Sequence, residues 1–420
     1  MNKLKWWGVL VMLCWNGWSG NPLMGQSPED HLEAAAKENG ALKAAFLRGY
    51  AALEKVDQTA PLPDPEVSFG VFVLPVETRV GPQFGQVRMM QRFPWMGTRK
   101  AQKAVVSEKA SILMMEAERK KRRLFYEIRA AWYAILLERT KAEQLEKTKK
   151  VLEQHAQLAT KKMEAGKGSM VNVLRVEMMI SEMKMKQEAA EDAGKTKVAH
   201  FNALVGQPLN VDVPMPDSFP DFTDDFASQS SETMEEVQDS LAHHPDLQWL
   251  AQRQNALKTE LEWVDKQGRP DISVGFNYIF VTGLEGRNAP ENGRDAWMPT
   301  VGLKLPIHRK QYAAKRREID LQTRALNHES NDRMDHLRAQ TETALLDLRN
   351  ASRTITRIQD QIDLSRLALR LLLKSYTESG SDISEALQMQ QTLLQLELQR
   401  LDAQAQRALA YARFRELTGR

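Results

Sequence analysis

The sequence holds one cysteine, Cys14, in 420 residues, and aromatic residues make up only 7% of it. A lone cysteine excludes an internal disulfide and leaves no thiol pair for redox chemistry. Few aromatics, with 42% hydrophobic and 27% charged residues, do not describe a thick globular core. That balance suits long helices with narrow apolar seams. Neither sign of charge dominates: 58 Lys and Arg face 55 Asp and Glu, a formal net of +3, which removes the electrostatic case for nucleic acid as a partner. Past the leader there is no long uncharged apolar run, so any contact with a membrane must come from amphipathic helices or strands. No phosphate-binding loop, zinc-ligand spacing or nucleophile motif occurs; no catalytic residue, metal ligand or cofactor is expected, and the chain is not read as an enzyme.

The first 25 residues read as a secretory signal. Lys3 and Lys5 form its basic start, Trp6 to Trp15 its apolar run, and Gly20 and Gly25 offer small residues for cleavage, with Gln26 the expected first residue of the mature chain. Cys14 lies inside this segment. Bulky Leu13 stands before it, where a lipid-anchored cysteine takes a small residue.

What the sequence does have is an internal repeat. Phe201-Asn202-Ala203-Leu204-Val205-Gly206 matches Phe414-Arg415-Glu416-Leu417-Thr418-Gly419, a shift of 213 positions from 201 to 414. The same shift takes Leu174 to Leu387. Phe93-Pro94 matches Leu305-Pro306, and a basic pair follows each, Arg99 with Lys100 and Arg309 with Lys310. A period this long is not a solenoid repeat. It makes each half a unit of two extended segments, a long helix and a shorter one. The expected division is residues 26–206 and 232–420, with a Pro- and Asp-rich girdle at 207–231.

In the extended segments apolar and polar residues alternate. Val67, Phe69, Val71 and Val73 form one set, and Val87, Met89 and Phe93 a second. Ile272, Val274, Phe276, Tyr278 and Phe280 form a third, and Trp297, Val301, Leu303 and Leu305 a fourth. Period two marks strands with one apolar and one polar face. The expected hairpins cover 65–93 and 270–305, with Phe93, Trp95, Tyr278, Phe280 and Trp297 as interfacial aromatics. Each segment approaches the ~10 residues a tilted strand needs to cross a bilayer. Alternation alone equally allows soluble hairpins. The polar, Pro- and Gly-rich loops at 76–83 and 282–295 favour the membrane. Open sheet edges are not tolerated in lipid, so four strands require other copies to close them, and a trimer supplies twelve.

Seven-residue tracks follow. Leu124, Ala131, Leu145, Leu152 and Ala159 lie on one, and Ile128, Ile135, Ala142, Ala156 and Met163 on another. Leu348, Ile355, Ile362, Leu369 and Tyr376, with Leu337, Ala344, Ala351, Ile358 and Leu372, repeat the pattern. This is a helix-packing seam. Long helices are expected over 99–163 (about 97 Å at 1.5 Å per residue) and 308–376. Return helices are expected over 170–206 and 383–419, and further helices over about 29–57 and 232–268.

With these parts in order, the sequence resembles the TolC family of outer-membrane efflux proteins over nearly its whole expected mature length. The motifs are Pro63-Asp64-Pro65-Glu66-Val67-Ser68, the Phe93 to Lys100 segment, His244-Pro245-Asp246-Leu247, Leu303 to Ile307, and the Phe-x-x-Leu-x-Gly end of each half. The resemblance implies a mainly α fold with a membrane β-barrel portion: a homotrimer with a twelve-stranded barrel in outer-membrane lipid and a helical periplasmic tunnel. It also implies docking to a periplasmic adaptor and cooperation with an inner-membrane resistance–nodulation–division pump. Phe93-Pro94-Trp95-Met96-Gly97-Thr98 resembles the branch that includes heavy-metal exporters, so metal cations are among the implied cargoes. The chain would then be a passive exit duct. A secreted coiled-coil scaffold or periplasmic adaptor without a pore is the competing reading.

By the resemblance, Gly166, Gly168 and Gly380 map to adaptor-docking helical tips, where glycine also simply ends a helix. Asp382 and Glu385 would form an acidic ring at the tunnel mouth; otherwise they are solvated carboxylates favoured at a helix start. Met178, Met179, Met183 and Met185 suggest soft Cu(I) ligands, but packing is the preferred reading. His243 and His244 precede a helix and read as structural, and Arg119 to Arg123 as a solvated face.

Overall fold

The computed structural model describes residues 27–59, 61–221, 240–286, 290–379 and 383–418. The expected leader, the 222–231 part of the girdle, Gly380 and Asp382 lie outside these residues.

In chain order the described elements are helices α1 (Glu29–Glu38) and α2 (Gly40–Gln58), strands β1 (Glu66–Val76) and β2 (Gln83–Phe93), then helices α3 (Thr98–Glu164) and α4 (Met170–Val205). Helix α5 (Pro245–Gln267) leads to strands β3 (Asp271–Val281) and β4 (Ala296–Lys304), and helices α6 (Arg309–Ser379) and α7 (Ile383–Thr418) end the chain. No described helix is long and apolar enough to cross a membrane.

Two helices expected to be continuous are broken, each for a local reason. The helix expected over 29–57 ends at Asn39, whose backbone is extended (ψ 115°). Its side-chain amide donates instead to the Leu204 carbonyl at 2.8 Å, and Gly40 begins a new helix. Helix α1 thereby packs on α4, where His31 meets Phe201 edge to face at 5.1 Å. The last helix, α7, contributes Arg415, 3.4 Å from Glu29. The helix expected over 232–268 restarts at Pro245, because proline disfavours helical backbone in the residue before it. His244 is accordingly extended (φ −62°, ψ 137°), and Pro245 takes the first turn, where a missing N–H costs nothing.

The described residues fall into two compact units. One comprises residues 27–40, 123–221 and 343–416. Its core is the heptad seam: Leu145, Leu152, Ala156 and Ala159 pack with Val173, Val176, Met179, Met183, Ile358, Ile362, Leu369, Tyr376, Leu387 and Leu394. Each leucine or isoleucine buried there contributes about 1.5–3 kcal/mol. The first part of the girdle is pinned here, since the buried Asn202 amide donates to the Leu209 and Val211 carbonyls at 3.2 and 2.7 Å.

The other unit comprises residues 41–122, 240–342 and 417–418 and contains one antiparallel sheet of order β1-β2-β3-β4. The two hairpins meet through β2 and β3, with Met89 opposite Phe276 and Phe93 opposite Ile272. Duplicated hairpins are thus fused side by side, and β1 and β4 are left as edges.

Candidate functional site

The register fixes which side chains share a face. Across the sheet run the rows Val67–Met89–Phe276–Pro299 and Phe69–Val87–Tyr278–Trp297. Nearer the helices run Val274–Val301 and Phe93–Ile272–Leu303. Because side chains alternate along a strand, this one face collects every apolar set of the sequence. It is also uncovered. Phe69 is 78% exposed, Val71 82% and Val301 79%, and Val67, Met89, Ile272, Val274, Phe276 and Leu303 are exposed with them. The opposite face carries Ser68, Gln86, Arg88, Arg92, Ser273, Asn277, Thr300 and Lys304, with the Asn277 amide donating to Gln86 at 3.3 Å. An apolar patch of this extent is foreign to the surface of a soluble monomer.

The five aromatics expected at an interface separate to the two ends of the sheet. Phe93 and Trp95 stand where β2 gives way to α3, and the Trp95 N–H donates to Asp271 at 3.3 Å. Tyr278, Phe280 and Trp297 stand toward the loops. There Phe280 lies 5.8 Å from Phe84 and 5.1 Å from Tyr278, and Trp297 stacks on Phe276 at 6.1 Å. Phe84 belongs to this second group and was missed, because Gly85 interrupts the alternation beside it. From Phe84 to Phe93 the strand advances about 30 Å at ~3.4 Å per residue. At the ~40° tilt of membrane strands this is about 23 Å of depth, close to the ~25 Å apolar band of outer-membrane barrels.

The first helical tip is built by Gly166. Its φ of +70° is one glycine adopts without strain. Gly166 N–H donates to the Met163 carbonyl at 3.0 Å and Lys167 N–H to the Lys162 carbonyl at 2.9 Å, the paired bonds that close a helix C-terminus. Gly168 lies against this end: a Cβ there would come within 3.1 Å of the Met163 nitrogen. Ser169 then caps α4 by accepting from the Val171 N–H at 3.2 Å. Lys162 holds the tip to its counterpart on α6, its ammonium 4.0 Å from the centre of the Tyr376 ring and bonded to the Tyr376 carbonyl. Glu385 is exposed in the first turn of α7. The methionine cluster divides: Met179 and Met183 are buried in the seam, while Met178 and Met185 are exposed, so the four do not form one ligand set.

A charge cluster that the sequence reading missed lies at the start of α5. Arg119, expected on a solvated face, donates to Asp246 Oδ1 at 2.5 Å, and Arg333 donates to Asp246 Oδ2 at 2.7 Å. Arg119 also lies over the Trp249 ring, 4.4 Å from its centre. Arg123 does remain exposed, paired with Glu127 at 2.9 Å. Burial raises the Asp246 pKa, but the hydrogen bond and charge of Arg119, with Arg333 behind it, outweigh that and hold the carboxyl below its ordinary value. Asp246 thereby ties α3, α5 and α6 together. Its position beside Pro245, in a helix first turn, was the one signal available.

His244 caps the same helix, its Nδ1 accepting from the Asp246 N–H at 3.1 Å. Burial lowers its pKa to about 4, an effect that Asp246 opposes and that Arg333, Arg122 and Arg119 reinforce. The folded state therefore holds His244 neutral. Its contribution is complete above the ordinary value of 6.5 and is lost as pH falls toward 4. About 2 kcal/mol per chain should be gone by pH 5. His244→Asn keeps a capping acceptor without the titration, so the difference in denaturation midpoint between pH 7.5 and pH 5 should shrink. An unchanged difference would refute this assignment.

Neither a family model nor a curated protein matches this sequence. Solved structures do, and the fold they share with it is that of outer-membrane channels. The outer-membrane channel OprN superposes with a TM-score of 0.74 at 16% identity, over 93% of this chain and 89% of its own. CusC, studied for folding and transmembrane channel formation, superposes with a TM-score of 0.76 at 13% identity, over 97% and 95%. The MtrE outer-membrane channel of Neisseria gonorrhoeae gives 0.73 at 15% identity, over 94% and 89%. Of the fold implied by the sequence resemblance, the mainly helical chain with one small antiparallel sheet is observed.

Proposed function

We propose that this chain is the outer-membrane subunit of a tripartite efflux system, a passive duct for cargo delivered by an inner-membrane pump through a periplasmic adaptor. One observation carries the reading: a four-stranded sheet with a continuous exposed apolar face and two edge strands. In lipid every backbone donor must be satisfied, so β1 and β4 need strands from other copies. Three sheets of four strands close a barrel of twelve, with the Ser68 and Arg88 face toward water. The fold similarity to outer-membrane channels supports the same arrangement.

The turn at Gly166 and Gly168 suits adaptor docking, since two glycines leave the backbone accessible; Gly380, outside the described residues, is assigned the same role from the sequence resemblance alone. Loss of cross-linking to the adaptor from Lys167 would count against it. Glu385, exposed in the first turn of α7, would form the acidic ring of the trimer together with Asp382, which lies outside the described residues, tested by cation selectivity after Glu385→Gln. Metal cations as cargo rest on the sequence resemblance alone; unchanged metal tolerance on deletion would reject them. The scaffold reading leaves the apolar face of the sheet without a partner.

The whole proposal is tested by purifying the mature protein in detergent and adding it to a planar lipid bilayer. A heat-resistant trimer and stepwise conductance are expected. A water-soluble monomer that gives no pore overturns it.

A further inference from the structure

Where strands become helices, both halves of the chain repeat one arrangement. Phe93 and Leu305 end the apolar face, a proline follows each, and bulky exposed side chains come next: Trp95 and Met96 in one half, Ile307 in the other. A basic pair then opens each long helix, Arg99 and Lys100 in α3, Arg309 and Lys310 in α6. Neither first turn contains an acidic residue. That placement runs against the helix dipole, which favours anions at this end and repels cations. Lys100, Arg309 and Lys310 are exposed and form no ion pair among the described residues. Among the described residues no ion pair offsets that repulsion at Lys100, Arg309 or Lys310.

The two junctions converge on one cavity of about 600 Å³. Pro94 and Thr98 line it from one side, Leu305, Pro306, Ile307 and His308 from the other. Arg269 and Lys304 also line it, both exposed and without a carboxylate partner among the described residues. Lys315 is engaged with Glu260 and Glu318 at 3.1 and 2.9 Å. The one lining carboxylate, Asp271, accepts the Trp95 N–H. Thr98 supplies an independent sign of a missing partner: it is 9% exposed, and its buried hydroxyl makes no hydrogen bond.

We infer that this collar binds the phosphodiester headgroups of anionic phospholipids in the leaflet on the helix side of the membrane. The assignment rests on the membrane-channel reading above. Exposed apolar side chains continuous with the lipid-facing sheet would hold acyl chains beside the first helical turns. Arg269, Lys304 and the two basic pairs would meet the phosphate, and two helix N-termini would add to its attraction. A free anion would explain the cations but not the apolar ring around them.

The test uses the detergent-purified trimer and native mass spectrometry of retained lipid, titrated with short-chain phosphatidylglycerol, short-chain phosphatidylcholine and inorganic phosphate in parallel. Phosphatidylglycerol should bind preferentially, by about fivefold for each cation that contributes. The doubly substituted R269Q/K304Q protein and the R309Q/K310Q protein should each lose most of that preference. Charge-retaining K304R should keep it, which separates lost charge from a disturbed fold. Equal binding of both lipids, or a preference untouched by R269Q/K304Q, overturns the inference. Inorganic phosphate competing as well as phosphatidylglycerol assigns the cavity to a free anion and likewise overturns it. If the wild-type protein conducts in the bilayer while these results appear, only the lipid assignment fails. If it neither conducts nor forms a trimer, the channel reading has failed first.

Discussion

Met89→Lys should abolish insertion of the protein into membranes, while Met90→Lys, one residue along the same strand, should leave it intact. Met89 is exposed on the apolar face between Val67 and Phe276, midway between the aromatic groups at Phe84 and Phe93. A lysine at the midplane on the lipid side of a barrel costs about 2–4 kcal/mol, and a trimer carries it three times, roughly 6–12 kcal/mol in all. Met90 shares the opposite face with native Arg88 and Arg92, where a further cation meets water. The measurement is the yield of heat-resistant trimer in the membrane fraction. Equal yields from the two variants would mean that the apolar face does not meet lipid.

The second large effect concerns association of copies. Leu364, Leu367 and Leu371 lie along one side of α6 and are 67%, 51% and 60% exposed in the single chain, although the heptad seam on the other side of that helix is buried. On α4, Val171, Leu174 and Met178 form a matching exposed stripe. Each stripe has helical spacing, and neither is covered by its own chain. They are the surfaces expected to meet between neighbouring subunits. Replacing all three leucines by glutamine removes about 1–2 kcal/mol of apolar burial at each site, nine sites to a trimer, and should leave no stable trimer. The only cysteine of the sequence is Cys14, within the expected leader, so Leu367→Cys combined with Leu174→Cys gives a clean test. An intersubunit disulfide is expected. Its absence in a protein that still forms trimers would misplace the interface.

The first of these predictions draws on a part of the fold that was legible in the sequence; the exposed stripes behind the second were not read there. Alternation identifies a strand's apolar face without knowledge of its neighbours, because the period is set by the backbone. Heptad spacing likewise identifies the buried side of α3 and α6, from Leu124 to Tyr376. Less legible was anything decided between segments far apart in sequence. The break at Asn39 depends on the Leu204 carbonyl standing within reach. Arg119 belongs with neighbouring basic residues in composition, and only the approach of Asp246 from another helix turns it inward. The methionines on α4 look like one cluster along the chain, yet Met179 and Met183 face the seam and Met178 and Met185 do not. Of the residues expected at the helical tips, Gly166 was readable because a helix must end somewhere, and glycine ends it at least cost. The acidic ring proposed for Glu385 depends on symmetry, which a single chain does not carry.

The open edges of the sheet bear on how long an assembly lasts. Strands β1 and β4 each present a row of backbone donors and acceptors that only another copy can satisfy once water is gone. Every such group left bare in hydrocarbon costs several kcal/mol, so a closed ring cannot release one member without exposing two seams at once. On the proposed trimeric barrel, membership would be decided at insertion and kept afterwards. Two differently tagged populations, assembled separately and later mixed in one bilayer, should never yield a mixed ring; only chains made together should.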